Sequence, residues 1–469
     1  MTFPTPPVAG TLVIAFFLLS AAIVPLALRR SALPARKKKL LIAAIVVSVA
    51  AKMALATLGH NFDLESYRIV SGLMEQGKSV YANTDRYNYG PIWAPVVSGL
   101  AWLSRLIGWD AGEGFHVLVA AFLAATDVLI GLALAMAYSH TAAVVFLLTP
   151  IGLLVSGFHS QFDNVAVLCG LLAWLMVRGG RPGPAALAVS AGLTGLSLIV
   201  KHILFLFPLW LLFWRPLGKL RYRVLYAGVA YAVFFCAFIP WWGDPASRAG
   251  IAQNVLGYSS EFGNSLTPIT VNLFLPVRSI DASFDLFLPI RMSDASFQWI
   301  PVVSGFKALW MGLMLAAGAA LARRGAHELF LLYLMTLYAF TPAFCDQYTA
   351  IPLVACAVFY ESWASWAFLA SGTGLLLVSE VNVLGPLNSA VPPLVILGRP
   401  YLVLKNLRSA MIMVSQICLA ALLAIRWRAR AGSGEALPIR AKLVRAAALI
   451  ASGGLYSFLA YAWLAWRRT

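Results

Sequence analysis

An all-α, polytopic membrane protein is the fold class this sequence predicts, and three observations carry that expectation. Of its 469 residues 61% are hydrophobic and only 11% are charged, where a soluble domain carries roughly 25% charged residues. The mean hydropathy is +0.82. The apolar residues also fall into runs close to the roughly 20 residues a helix needs to cross a bilayer, and Lys and Arg gather where those runs end.

On that template the chain offers about 12 to 14 candidate spanning helices. They lie near residues 8–28, 40–58, 92–109, 115–138, 162–178, 184–200, 203–214, 224–242, 301–322, 328–343, 349–380 (one run or a pair), 405–425 and 446–465. The basic clusters 29–39, 178–183, 215–223, 323–327 and 426–445 orient them by the positive-inside rule and account for the net charge of +17 without nucleic acid. Residues 59–91, the His159 region, 243–300, 341–348 and 381–400 then fall on the opposite face. A full crossing by 141–157 would place two basic loops on the wrong side. Ala142 to Gly157, broken at Thr149-Pro150, is therefore expected to be a re-entrant or half-spanning piece. The N-terminal run has its basic residues after it, so it is expected to be a retained helix and not a cleaved signal. Cys169, Cys236, Cys345, Cys356 and Cys418 show no C-x-x-C spacing and are expected to be small buried hydrophobes.

Ionisable groups in or against a membrane are costly, about 2.5 to 3.5 kcal/mol each, so several on one face point to a site. Asp63, with Glu65, Tyr67 and Arg68, follows the second apolar run and precedes a loop containing Tyr81 and Tyr87-Asn88-Tyr89-Gly90-Pro91. Its ordinary reading is a solvated Asp–Arg pair. His159, Gln161, Asp163 and Asn164 stand between two apolar segments, where Asp163 alone could be a helix N-cap. Lys201-His202 interrupts a long apolar stretch, where a snorkelling lysine is the ordinary explanation. Asp346 and Gln347 occupy a turn, and the long loop holds Glu261, Asn264 and Arg278.

The run from Asp63 to Pro91, with Tyr67 and the Gly77-x-x-x-Tyr81 element, resembles the first external loop of GT-C type glycosyltransferases that use polyprenyl-phosphate sugars. The His159 to Asn164 run is similar to the His/Gly-x-Gln-x-Asp/Asn element of that superfamily, and Lys201-His202 to its Lys-containing element. The resemblance covers roughly residues 58 to 215 and is nearest to the GPI mannosyltransferase and N-glycan-pathway glucosyltransferases. Gly90-Pro91 stands where a double Pro or Thr-Pro is commoner, and an extra helix precedes the loop.

What the resemblance implies is a GT-C-like bundle whose external loops form the active site. The domains would be N-terminal helices in 1–58, a catalytic module in 59–242 with its first external loop at 59–91, an external loop at 243–300 and C-terminal helices in 301–469. The expected activity is inverting transfer of a hexose, mannose or glucose, from a polyprenyl-phosphate donor to a lipid-linked or cell-envelope glycan. Asp63 would be the catalytic base, with Lys201, His202 and Arg278 on the donor phosphate. Glu65, Tyr67, Arg68, Tyr81, Tyr89, His159, Gln161, Asp163, Asn164, Asp346 and Gln347 would contact substrate. A single phosphodiester needs no bridging metal, and no H-E-x-x-H or D-x-D spacing is present, so neither metal nor cofactor is expected. The alternative function is transport of lipid-linked sugars. A bacterial plasma membrane is the favoured location, with an endoplasmic reticulum membrane as the other option.

Overall fold

The computed structural model describes residues 4–109, 112–257, 307–340, 345–379 and 400–428. Among these every regular element is a helix, and four helices are long and apolar enough to cross a membrane, or five if one bent pair counts as a span. Seven more apolar helices have 10–17 residues. The chain divides into one unit of Met1–Tyr258 with Gly318–Phe330 and another of Ser259–Ala317 with Leu331–Thr469.

The first unit opens with α1 (Pro6–Arg30) and α2 (Ala35–Ala56), apolar helices with exposed Leu and Val along much of their length, as a lipid-facing surface requires. Arg29 and Arg30 close α1, where they complement its dipole. Then come α3 (Phe62–Glu75), the short α4 (Val80–Asn83), α5 (Trp93–Leu106) and α6 (Glu113–Ala137). The pair α7 (His140–Leu148) and α8 (Pro150–Gly157) follows, bent by 53°. Pro150 supplies the break, since it lacks an N–H and forces Thr149 into extended backbone. The unit continues with α9 (Asp163–Val177), α10 (Pro184–Val200), α11 (Phe207–Phe213), α12 (Leu220–Cys236) and α13 (Pro245–Gly250).

Contacts between helix ends assign each helix a direction. The Arg178 guanidinium donates to the Ala137 carbonyl at 2.8 Å. The Arg181 amide donates to the Pro216 carbonyl at 2.7 Å, Arg323 lies 5.7 Å from the Phe213 ring, and Lys37 is close enough to act on His140. All the basic clusters of this unit thus share one end. At the other end the His60 and His116 rings meet at 5.8 Å, and Gly157 packs directly on Lys52 and Leu55.

This arrangement bears on two expectations. Segment 142–157 follows the end of α6 and finishes against Lys52 and Leu55 of α2, and with its 53° bend α7 and α8 form a broken span or a re-entrant loop. Segment 92–109 does not traverse. With 14 residues, α5 is about 21 Å long, and it lies beside α3, with Trp93 against Tyr67 and Arg105 paired to Glu75 at 2.6 Å. Its Gly99 touches the Ala9 backbone near the start of α1. With α7 and α8 counted as one broken span, the number of crossings is unchanged and the basic loops keep a common side.

The Tyr-rich loop is held by its own side chains. The Tyr87 hydroxyl donates to the Gly90 carbonyl at 2.6 Å and accepts from the Ala94 amide at 2.9 Å. Gly90 sits directly on the last turn of α10, where a Cβ would fall 2.0 Å from the Ile199 carbonyl oxygen. Gly90→Ala is expected to push the loop off α10 and cost about 1 to 3 kcal/mol, read as a lower Tm in detergent; a variant as stable as the parent would refute the contact. Segment 243–300, expected to be an external loop, begins with α13 and a π-helical turn Ile251–Leu256, and residues 258–300 lie outside the described residues.

The second unit contains helices Leu353–Val358, Trp363–Ser379 and Pro400–Arg428. Tyr338 bonds to Ser415 at 2.8 Å within it. The expected 349–380 segment is thus two helices. Of the cysteines expected inside, Cys356 and Cys418 are buried, Cys169 and Cys345 partly so, and Cys236 is exposed at the last turn of α12, an apolar surface on which lipid replaces protein. Candidate span 446–465 lies outside the described residues.

Candidate functional site

The site begins with the N-terminus of α3. Asn61 is its N-cap: the side-chain oxygen accepts from the Asp63 amide at 3.0 Å, satisfying an otherwise orphaned donor. The same side chain's Nδ2 donates to Asp63 Oδ2 at 3.0 Å and to His159 Nδ1 at 3.0 Å. Since the amide is the donor, Nδ1 of His159 accepts, which assigns the proton of the neutral ring to Nε2. One asparagine therefore ties the carboxylate to the segment between α8 and α9.

That segment is strained. Ser160 adopts φ 55°, a left-handed conformation uncommon for a side chain with a Cβ. The amides of His159 and Gln161 bond back to the Leu154 and Val155 carbonyls, each at 3.0 Å. The Ser160 carbonyl accepts from the Tyr67 hydroxyl at 3.1 Å. These bonds hold Gln161 beside Asp63, close enough for its amide to favour the ionised carboxylate although they share no hydrogen bond of ordinary length.

Asp163 opens α9 and pairs with Lys201 at 2.8 Å, and both side chains are almost wholly buried. The cap reading of Asp163 fails, because its carboxylate faces Lys201 and makes no cap bond. The snorkelling reading of Lys201 fails as well. Its ammonium lies 5.3 Å from the Phe162 ring centre and 5.5 Å from that of Tyr89, a cation–π setting. Phe162 in turn stacks on Trp93 at 4.0 Å. The result is a cation between an aromatic wall and a carboxylate.

Asp63 keeps part of its surface open while protein crowds its carboxyl. Desolvation pushes its pKa above the ordinary 3.8; Lys201 opposes this, as do the bond from Asn61 and the nearby Gln161 amide, and Asp163 reinforces it. With both carboxylates ionised, Asp63, Asp163 and Lys201 sum to one negative charge. Such a group can accept a proton from a hydroxyl and does not by itself attract a phosphate.

Glu65 and Arg68 stand one turn further along α3 and pair at 2.5 Å, with His60 at 3.6 Å from the same carboxylate, all of them partly exposed. Arg68 therefore pairs with Glu65, so the ordinary reading of Asp63 as one half of a solvated Asp–Arg pair does not hold. Tyr67 and Tyr81 are buried: Tyr81 donates to the Tyr89 carbonyl at 3.2 Å and packs on Tyr87, Phe238 and Trp241. His202, half-buried, opens the 3₁₀ turn His202–Leu204 beside Lys201. Asp346 and Gln347 belong to the second unit, in the 3₁₀ turn Asp346–Ala350. Arg278, Glu261 and Asn264 lie outside the described residues.

Asn164 joins a second buried cluster. Its Nδ2 turns away and donates to the Leu123 carbonyl at 3.0 Å and to Asp127 Oδ1 at 2.9 Å. Asp127 of α6 is paired with Lys52 of α2 at 2.7 Å, both nearly inaccessible. It also accepts from Ser156 at 2.7 Å, and Lys52 reaches Ser48 at 3.1 Å. Sequence reading passed over Asn61, Lys52 and Asp127. The signal for the last two was present, since each is the lone full charge deep within its apolar run, and a charge there requires a partner.

Among the described residues no group of three or more His, Cys, Asp or Glu side chains could hold a metal ion. No protein-family model, curated protein or solved structure matches the chain.

Proposed function

We propose that this protein is an inverting glycosyltransferase that moves a hexose from a polyprenyl-phosphate donor to a lipid-linked or envelope glycan at the membrane face opposite its basic loops. The observation that supports this reading best is Asp63: a carboxylate open to one side, raised in pKa and held by Asn61 against His159, at the helix ends remote from the basic clusters. A base whose pKa is drawn toward the working pH, within reach of an acceptor hydroxyl, is what direct displacement at an anomeric carbon requires. Tyr89, Phe162 and Trp93, all buried, are the aromatic packing that backs the Lys201–Asp163 pair.

Charge balance shifts the proposed role of Lys201. It acts first as counter-ion to Asp163, and the partly exposed Arg68 and His60 join His202 as the cations for the donor phosphate. Transport of lipid-linked sugars is the second reading, and the Lys52–Asp127 pair inside the helices is what favours it. Transfer of radiolabel from a panel of polyprenyl-phosphate sugars to membrane lipid extract by the protein in detergent separates the two, since transport leaves no product without a sealed compartment. Activity is expected to survive EDTA. Loss that Mg²⁺ or Mn²⁺ restores would replace the donor with a diphosphate-linked one.

A further inference from the structure

Asp127 touches both shoulders of the segment that carries His159, Ser160 and Gln161. Its Oδ2 accepts from Ser156, in the last turn of α8, and its Oδ1 accepts from Asn164, in the first turn of α9. The segment spanned by these two bonds contains the left-handed Ser160 and turns so sharply that the His159 and Gln161 amides bond back to α8. Lys52, which neutralises Asp127, belongs to α2, the helix that leads through Gly59 to Asn61 and Asp63. Gly157 reinforces the connection, as its Cα lies so close to α2 that a Cβ would fall 3.0 Å from the Lys52 backbone.

A strained backbone persists only when its surroundings over-determine it. Here one carboxylate supplies two of the restraints and its counter-ion ties them to the other half of the site. We propose that Asp127, neutralised by Lys52, is a positioning residue: it clamps the ends of α8 and α9 and so holds His159 and Gln161 against Asn61 and Asp63. Asp127 makes no contact with Asp63 and acts only through this segment. The clamp is a property of the fold and does not depend on the sugar-transfer reading.

Two double variants separate its hydrogen bonds from its charge. In Lys52→Met/Asp127→Asn the charges vanish together, while the amide oxygen can still accept from Asn164 and its NH₂ can donate to Ser156. In Lys52→Met/Asp127→Leu both bonds are lost, and apolar replacement of a buried pair is often tolerated by the fold. The readout is the pH dependence of modification of Asp63 by dicyclohexylcarbodiimide, which reacts with the protonated carboxyl, followed by peptide mass spectrometry on the full-length protein in detergent. It requires no substrate, so it remains informative if the transferase reading fails.

The Asn-containing pair is expected to keep the wild-type midpoint. The Leu-containing pair is expected to move it upward by about one pH unit, a tenfold change in ionisation, because Gln161 and Asn61 no longer favour the ionised form. An unchanged midpoint in the Leu-containing pair would overturn the clamp, and so would an equal shift in both pairs, which would assign the effect to charge. Should the Leu-containing pair not fold, Ser156→Ala removes one arm alone and must shift the midpoint in the same direction for the proposal to stand.

Discussion

Asp63→Asn is expected to lower turnover by about 10² to 10⁴ while the protein remains folded. The amide matches the carboxylate in shape and can still bond to Asn61, so what is lost is the ability to take a proton. Because desolvation raises the pKa of Asp63 in the folded protein, the protonated, inactive form persists to higher pH than for a free carboxylate. The acid limb of the rate profile should therefore lie above 3.8 and rise with pH. The stability sign is opposite. A carboxyl with a raised folded pKa stabilises the fold below its unfolded value, and that contribution is lost as pH climbs through the folded value. The Asn variant should consequently melt no lower than the parent at neutral pH. Turnover near wild type in a well-folded Asp63→Asn protein would remove Asp63 from the chemistry.

Lys201→Met should be the most damaging substitution for the fold of the site. It leaves Asp163 buried without its cation and beside a second carboxylate. Removing one partner of a buried pair costs about 3 to 5 kcal/mol, so the Tm in detergent should fall sharply. Lys201→Met combined with Asp163→Asn removes both charges and is expected to recover most of that stability without recovering turnover. A lysine that merely reached for the membrane surface would lose little in the single variant and gain nothing in the double. If Lys201→Met melts with the parent, the pair does not hold the geometry described here.

The membrane class, the basic end of the helices and the polar segments at their other end were legible in the sequence, because each rests on local composition. An apolar run announces burial or lipid, and a lysine or aspartate within it announces a partner, whatever the fold. His159, Gln161, Asp163 and Lys201 accordingly stand out in the sequence as polar residues that the fold buries. The course of each segment was not decided locally: 92–109 and 142–157 are both apolar and short, and the difference between them is that α5 lies beside α3 while α7 and α8 finish against Lys52 of α2.

Partner choice was decided by tertiary structure alone. Asp163 could have capped its helix and Arg68 could have met Asp63; packing gave Asp163 to Lys201 and Arg68 to Glu65. Asn164, adjacent to Asp163 in sequence, faces a different neighbour because successive helix positions lie about 100° apart around the axis, and so it joined Asp127. Composition says that a buried charge must be neutralised. Only the packing of α2, α6, α9 and α10 says by which residue, since an ion pair depends on a separation of a few ångströms between side chains far apart in the chain.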